Sequence, residues 1–485
     1  MKTVKSIWLI LLYALLIVLF DYEFFNKMAV EPIFSIGNIC SILIALIYYH
    51  VAIKSKMFSC NKANIEKKIF VHSLLIGFVY LAILSFIFYS ITGTLLDVEA
   101  VDAKNYHEFA VKMANNIKYR HFYDRSLGFG NFDDNGYFHF IAFVYYFTDN
   151  SVTALQIVQC VIRAISVVLI YRITLLCFEN ERAAGFSAII AIPFPLFLVY
   201  STILLKVTVL VFTVLLSIYA FVNIVKYGIK IKWVVVILVS FLSFATMRFV
   251  YILIMLFSFA LYFTVNLRNI KRNILQVIFA SIVMAVLLMV ITGKMGFKQE
   301  ALIRGTAYIS KVTGYEEENK LIKEQRIGGQ TLNQNKIYRS ASKYGGLMVF
   351  IPFSISFPFP NIVKTNVSPK NPYKQTLQWY FIGGILLWNF ISYYSIVGMY
   401  AGVKKYFKTS SILLFFTAIF TTVLLSGFLI TSIRHNVPKV AVLLPFVGVG
   451  MDFKFKNKFN YSILYSITMS IVILAYNYFK LKARM

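Results

Sequence analysis

The sequence predicts an all-α polytopic membrane protein, and three observations carry that expectation. Apolar residues make up 59% of the 485 and charged ones only 14%, more apolar surface than a water-soluble fold can hide. Apolar runs of about twenty residues, the length that crosses the hydrocarbon core as a helix, recur from one end to the other. The cations behind a net charge of +28 are scattered through the short connectors between those runs, not gathered in one basic domain. That distribution argues against nucleic acid as a partner and reads as a topology signal.

The spans are expected at 4–21, 32–53, 69–92, 153–177, 185–201, 204–225, 233–247, 249–266, 274–292, 378–403, 410–431, 437–452 and 460–479, thirteen in all. Lys2 and Lys5 before the first run imitate a signal peptide, but bulky Phe20, Tyr22 and Phe24 stand where small cleavage-site residues belong, so the run reads as a helix. Five connectors are cytoplasmic by the positive-inside rule: those with Lys54, Lys56, Lys62, Lys67 and Lys68; Lys226, Lys230 and Lys232; Arg268, Lys271 and Arg272; Lys404, Lys405 and Lys408; and Lys454, Lys456 and Lys458. Alternating crossings agree with all five and put the N-terminus inside. They disagree with Lys480, Lys482 and Arg484, which thirteen helices would leave outside. Cys40, Cys60, Cys160 and Cys177 fall in or beside helices, away from any outer-loop disulfide, and no metal-type Cys/His spacing occurs.

Four regions follow: a two-helix N-terminal addition at 1–68, a transmembrane core at 69–292 that includes a long outer loop at 93–150, a second outer loop at 293–376, and C-terminal helices at 377–485. Loops this long are usually functional or disordered, and these two do not read as disordered. The first gathers Asp97, Glu99, Asp102, Glu108, Asp124, Asp133 and Asp134, a large share of the chain's 20 acids. Within it Tyr106, Phe109, Ala110, Met113 and Ile117 recur at helical spacing, which predicts an amphipathic surface helix with Asp102 just before it. Gly136 to Thr148 is apolar but too short to span, and so is expected to dip into the interface or re-enter the membrane. The second loop carries ten Lys and three Arg against five Glu, with turns at Gly328 and Gly329 and extended chain through Pro352, Pro358, Pro360, Pro369 and Pro372. A structured basic lid is the expectation there.

Acids and cations meeting on one side suit transfer of a sugar from a lipid phosphate to an acceptor hydroxyl. A carboxylate takes the acceptor's proton, and Arg or Lys neutralises the departing phosphate. Asp102 is the first candidate base, with Glu99 and Asp97 next; an Asp ahead of a helix is equally a favoured N-cap. Asp133 and Asp134 precede a Gly136-Tyr137 turn and are as readily solvated loop residues. Lys206, Arg248 and Arg434 stand at outer helix junctions, where a charge near the membrane is informative, although Lys and Arg also snorkel to the interface there. Arg163, in mid-helix, is expected to satisfy a partner inside the bundle. Arg304, Arg326 and Arg339 of the second loop are further candidates for an anionic head group, against the simpler reading of solvated charge. His107, His121, His139 and His435 lie on the same side without a ligand spacing, and the Asn366-Val367-Ser368 sequon carries no weight.

Several of these segments resemble the GT-C superfamily of polyprenyl-phosphate-sugar-dependent glycosyltransferases, in particular bacterial relatives of protein O-mannosyltransferases and lipid A aminoarabinose transferases. Asp102-Ala103-Lys104-Asn105-Tyr106 followed by Ala110 is similar to the family's Asp-x-x-x-Tyr motif, and Gly136-Tyr137-Phe138 to its Gly-Tyr-Pro. Tyr200-Ser201-Thr202-Ile203-Leu204-Leu205-Lys206 resembles its Tyr-Ser-x-x-Leu-Leu-Lys junction, and Met247-Arg248 and Arg434-His435-Asn436-Val437-Pro438 its outer Arg positions. The likeness covers 69–265 and 430–452. Ala103 stands where many members have a second acid, and Phe138 where they have Pro. The resemblance implies a base or donor-site carboxylate at Asp102, and substrate contacts at Tyr106 and His435. It implies a polyprenyl-phosphate-linked sugar donor, a glycan, lipid or protein acceptor, and work on the outer face of a bacterial cytoplasmic membrane among its lipids. No cofactor motif is evident, and a divalent-metal requirement is left open.

Three other readings compete. A polysaccharide polymerase or ligase would lean on Arg304, Arg326 and Arg339. A lipid-linked oligosaccharide flippase or transporter would show ionisable residues at mid-membrane and broken helices in repeated halves, of which the sequence has few. A structural scaffold would not need an acid-rich and a base-rich loop on one face.

Overall fold

A computed structural model describes residues 44–52, 62–96, 101–118, 132–265, 376–426, 433–453, 459–469 and 471, and among them every regular element is helical, with no strand. In chain order the helices are α1 (Lys62–Thr92), α2 (Val101–Lys118), α3 (Phe132–Thr148), α4 (Val152–Phe178), α5 (Glu181–Ala191), α6 (Pro195–Thr202), α7 (Val207–Tyr227), α8 (Ile231–Met247), α9 (Val250–Val265), α10 (Thr376–Lys405), α11 (Phe407–Ser426) and α12 (Ile433–Asp452). Helical stretches at 44–52 and 459–469 flank them. The spans expected at 4–21 and 274–292, most of the one at 32–53, and the lid expected at 293–376 except Thr376 lie outside the described residues.

Asn64–Ser90, Val152–Phe178 and Val207–Tyr227 are each long and apolar enough to cross a membrane. The run expected as one span at 185–201 is two helices, α5 and α6, bent by 51°. The cause is local: Pro193 and Pro195 cannot donate to a helical ladder, and Pro195 opens α6 at the position that tolerates it. Ile231–Met247, Val250–Phe263 and Phe407–Thr421 are apolar but shorter.

Cap chemistry defines the start of α4 and α5. The Ser151 hydroxyl accepts from the Ala154 amide, and Asn180 Oδ1 accepts from Ala183; such caps contribute about 1 kcal/mol each. Between them the chain reverses at Glu179, which takes a left-handed conformation at φ 51°.

The centre of the bundle is α12, which packs on α10, α5, α7 and α4. Its residues from Asn436 to Gly450 are buried. Small residues let the backbones approach, as in membrane helix pairs generally. A Cβ on Gly448 would stand 2.0 Å from Ser187 Oγ, and one on Gly450 would stand 1.9 Å from the Tyr394 carbonyl oxygen. From the other side, a Cβ on Gly398 of α10 would meet the Phe446 carbonyl oxygen at 1.8 Å.

Arg163 does what the sequence suggests for a mid-helix cation. It is 2% exposed, and its guanidinium donates to the Ile192 carbonyl at 2.8 Å and to the Ser73 carbonyl. It thereby ties α1 to α4 and supplies a donor to a carbonyl at the α5–α6 bend, where the helical partner is missing.

The two ends of the bundle differ in chemistry. At one end Arg172 donates to Glu66 at 2.8 Å, Lys226 pairs with Glu179 at 2.6 Å, and Arg182 pairs with Asp452 at 3.2 Å. Lys226 beside Glu179 holds that carboxyl below its ordinary value. The other end holds the ends of α1, α6 and α8 and the starts of α2, α7 and α12.

Candidate active site

Asp102 lies in the first turn of α2, not ahead of the helix as the N-cap reading expects. Its carboxylate is therefore turned outward to a partner, and that partner is Arg434, whose guanidinium donates to Asp102 Oδ2. The two residues are 332 positions apart in sequence. Arg434 lies in the first turn of α12, one turn earlier than the span expected at 437–452 begins. The side chains are 45% and 42% exposed, so a ligand can reach both.

Around this pair stand the other cations that the sequence singles out. Lys206 occupies the cap position before α7 and donates from Nζ to the Met247 carbonyl at 2.9 Å. Arg248 follows as the cap residue that ends α8, its own N–H bonded to the Phe244 carbonyl at 2.7 Å. Burial and then the charges of Arg248, Arg434 and Lys206 push the His435 imidazole well below its ordinary pKa, so it is neutral. Burial works against the charge on Arg434, but Asp102 and the nearby Tyr200 and Tyr106 outweigh it and hold its pKa above the usual value.

Tyr106 sits one turn after Asp102 and packs edge-on against Tyr137 and Phe138, with ring centroids 5.1 Å apart in both cases. Phe109 adds a second edge contact to Phe138 at 5.6 Å, and His107 Nδ1 lies 2.7 Å from the Tyr145 hydroxyl. Together these contacts seat α2 on α3. The α3 segment is a helix from Phe132, which corrects the turn expected at Gly136-Tyr137. Gly136 is needed for a different reason: a Cβ there would stand 2.2 Å from Thr246 Oγ1 of α8.

The α6–α7 break carries Tyr200 and Lys206 to this rim. Two glutamines of α4, not singled out by the sequence reading, support it. Gln156 Nε2 donates to the Thr202 carbonyl at 2.8 Å. Gln159, oriented so that both its ends are satisfied, accepts from the Tyr137 hydroxyl at 2.6 Å and donates to the carbonyls of Ser201 and Ile203 at 3.2 and 3.0 Å. Both glutamines are buried, at 1% and 0% exposure. The signal for them is present in the sequence: two amides three residues apart in a largely apolar span whose charges are Arg163 and Arg172, where polar side chains are costly unless they bond.

Of the other candidates, Asp133 and Asp134 belong to the first turn of α3. Asp97, Glu99, Arg304, Arg326 and Arg339 lie outside the described residues. Cys160 and Cys177 are free and buried, and among the described residues no three His, Cys, Asp or Glu gather to hold a metal ion.

Comparison with known proteins narrows the class. Residues 136–292 match the family model of dolichyl-phosphate-mannose-protein mannosyltransferases. The match supports a membrane glycosyltransferase of the GT-C type, the superfamily that the sequence motifs resemble. None of the curated proteins matches the chain.

Proposed function

We propose that the chain moves a sugar from a polyprenyl-phosphate donor to an acceptor hydroxyl at the outer face of the cytoplasmic membrane. The observation that carries the reading is the Asp102–Arg434 ion pair, accessible and flanked by Lys206 and Arg248. It joins a proton acceptor and an anion clamp at one rim of an apolar bundle. The outer assignment rests on the opposite end, where Lys226 closes α7, Lys404 and Lys405 close α10 and Lys230 precedes α8, positions that the positive-inside rule keeps in the cytoplasm.

In the proposed reaction the acceptor oxygen bonds to the anomeric carbon as the bond from that carbon to the phosphate oxygen breaks. The acceptor's proton passes to the Asp102 carboxylate. The donor is a phosphodiester with one negative charge, and the departing polyprenyl phosphate approaches two. Arg434, Lys206 and Arg248 therefore interact more strongly with the transition state than with the bound donor, which is the condition for accelerating the chemical step. The guanidinium of Arg434 presents a planar fork to phosphate oxygens. His435, neutral among the cations, adds a donor without further charge, and Tyr106, one turn from Asp102, is the proposed substrate contact beside the carboxylate.

The test is transfer from radiolabelled polyprenyl-phosphate sugars into acceptors of membranes with and without the protein. The expected outcome is label transfer that depends on the chain and disappears in Asp102→Asn. Full transfer by that variant would remove Asp102 as base. If Arg304→Ala, Arg326→Ala or Arg339→Ala lost activity while Asp102 proved dispensable, a polymerase or ligase would replace this reading.

A further inference from the structure

A helix that stops inside a membrane protein leaves carbonyl oxygens with no N–H one turn on, and hydrocarbon cannot supply a donor. The α6–α7 break creates this situation at Ser201 and Thr202, just before Lys206, while the Ile203 carbonyl accepts from the Leu205 amide at 2.7 Å. Gln156 serves Thr202 alone. Gln159 serves Ser201 and Ile203 and also holds the Tyr137 hydroxyl at 2.6 Å. Tyr137 in turn packs edge-on against Tyr106, one turn from Asp102. A continuous set of contacts thus runs from the helix carrying the carboxylate, through α3 and α4, to the junction carrying Lys206. Its members are buried, with Tyr137 and Gln159 both at 0% exposure.

We infer that Gln159 is a positioning residue for the phosphate-binding rim: its amide ties the Tyr137 hydroxyl to the Ser201 and Ile203 carbonyls of the α6–α7 break and so sets where Lys206 stands relative to the helix of Asp102. The inference rests on the transferase reading and adds to it a residue that touches neither donor nor acceptor. Removing the amide frees the Ser201 carbonyl and the Tyr137 hydroxyl together and leaves Ile203 with the Leu205 amide alone, so the junction must re-form around other partners. Removing only the hydroxyl, in Tyr137→Phe, severs the link to α3 but leaves the break capped.

The experiment measures binding of undecaprenyl phosphate to the purified full chain in nanodiscs, alongside thermal unfolding of each variant without ligand. Gln159→Leu is expected to weaken binding about tenfold, the scale of losing a buried hydrogen-bond partner, and Tyr137→Phe about threefold. The double variant should bind no worse than Gln159→Leu alone, because both changes act through one connection. Gln156→Leu, which opens a different carbonyl, should combine additively with Tyr137→Phe. A general loss of stability would lower the unfolding temperatures without producing that contrast in coupling. If the wild type binds and Gln159→Leu or Tyr137→Phe binds equally well, or if all pairs add, the positioning role is wrong and the transferase reading stands. A wild-type chain that does not bind undecaprenyl phosphate removes the transferase reading and this inference with it.

Discussion

Asp102 is bonded to Arg434, and in the proposed reaction the same carboxylate would also meet an acceptor hydroxyl. The proposed base role makes Asp102→Asn a loss of about 10²- to 10⁴-fold in transfer, with the protein still extracted folded from membranes. Lys206→Ala, Arg248→Ala and Arg434→Ala should each raise the apparent donor KM, measured with purified protein over a donor titration. His435 supplies a pH signature. Its imidazole is held neutral by burial and three cations, so its folded pKa lies below the ordinary value of 6.5. The unfolded chain therefore binds the proton first as pH falls, and stability rises with pH through that range. The unfolding temperature of the wild type should drop between about pH 7 and about pH 5, and the drop should be smaller in His435→Asn. At this scale the sequence was readable where charge is rare: Asp102, Lys206, Arg248, Arg434 and the bundle-satisfying Arg163 all stand out from apolar surroundings. Gln159 did not, because an amide's importance lies in what it bonds, and its partners are 22 residues back at Tyr137 and beyond 40 residues on at Ser201.

Among the helices, hydrophobic runs located most described helices to within a few residues, and three of these, or four with the bent pair, are long and apolar enough to cross a membrane. They could not show the 51° bend between α5 and α6, where Pro193 and Pro195 act within a run that remains apolar throughout. Nor could they show that Phe132–Thr148 is a full helix, because Asp133, Asp134 and Gly136 resemble a turn locally, and packing on α2 and α8 overrides that tendency. Close helix approach gives a prediction at this scale. Gly448→Val would drive a side chain into Ser187 Oγ and the Ala183 carbonyl oxygen, 2.0 and 2.2 Å from the first added atom. Backbone cannot yield as a side chain can, so the loss should exceed the roughly 1–3 kcal/mol typical of overpacking. Size-exclusion and thermal unfolding in detergent would register it as aggregated or low-melting protein. The same change at Gly93, where no atom stands within 4 Å but φ is +66°, would act through backbone strain alone and cost less.

For the whole molecule, alternating connector charge anticipated that Asp102 and Arg434 share one end, and the helices bring them into contact. The proposed orientation is tested by single cysteines at Lys104 and Lys230 in a chain whose Cys40 and Cys60 are replaced by serine. A membrane-impermeant thiol reagent should label position 104 in intact cells and position 230 only after permeabilisation; the reverse pattern would invert the protein and move its chemistry to the cytoplasm. The Asp102–Arg434 contact also bears on how the proposed cycle would close. A doubly charged polyprenyl phosphate among three cations is a tight leaving product, and tight products slow turnover. Once Asp102 has passed its captured proton to water, its restored negative charge competes for Arg434 from a tethered position a few ångströms away. On the proposed mechanism, the carboxylate that begins a round by accepting a proton would thus also help to eject the spent carrier and clear the rim for the next lipid.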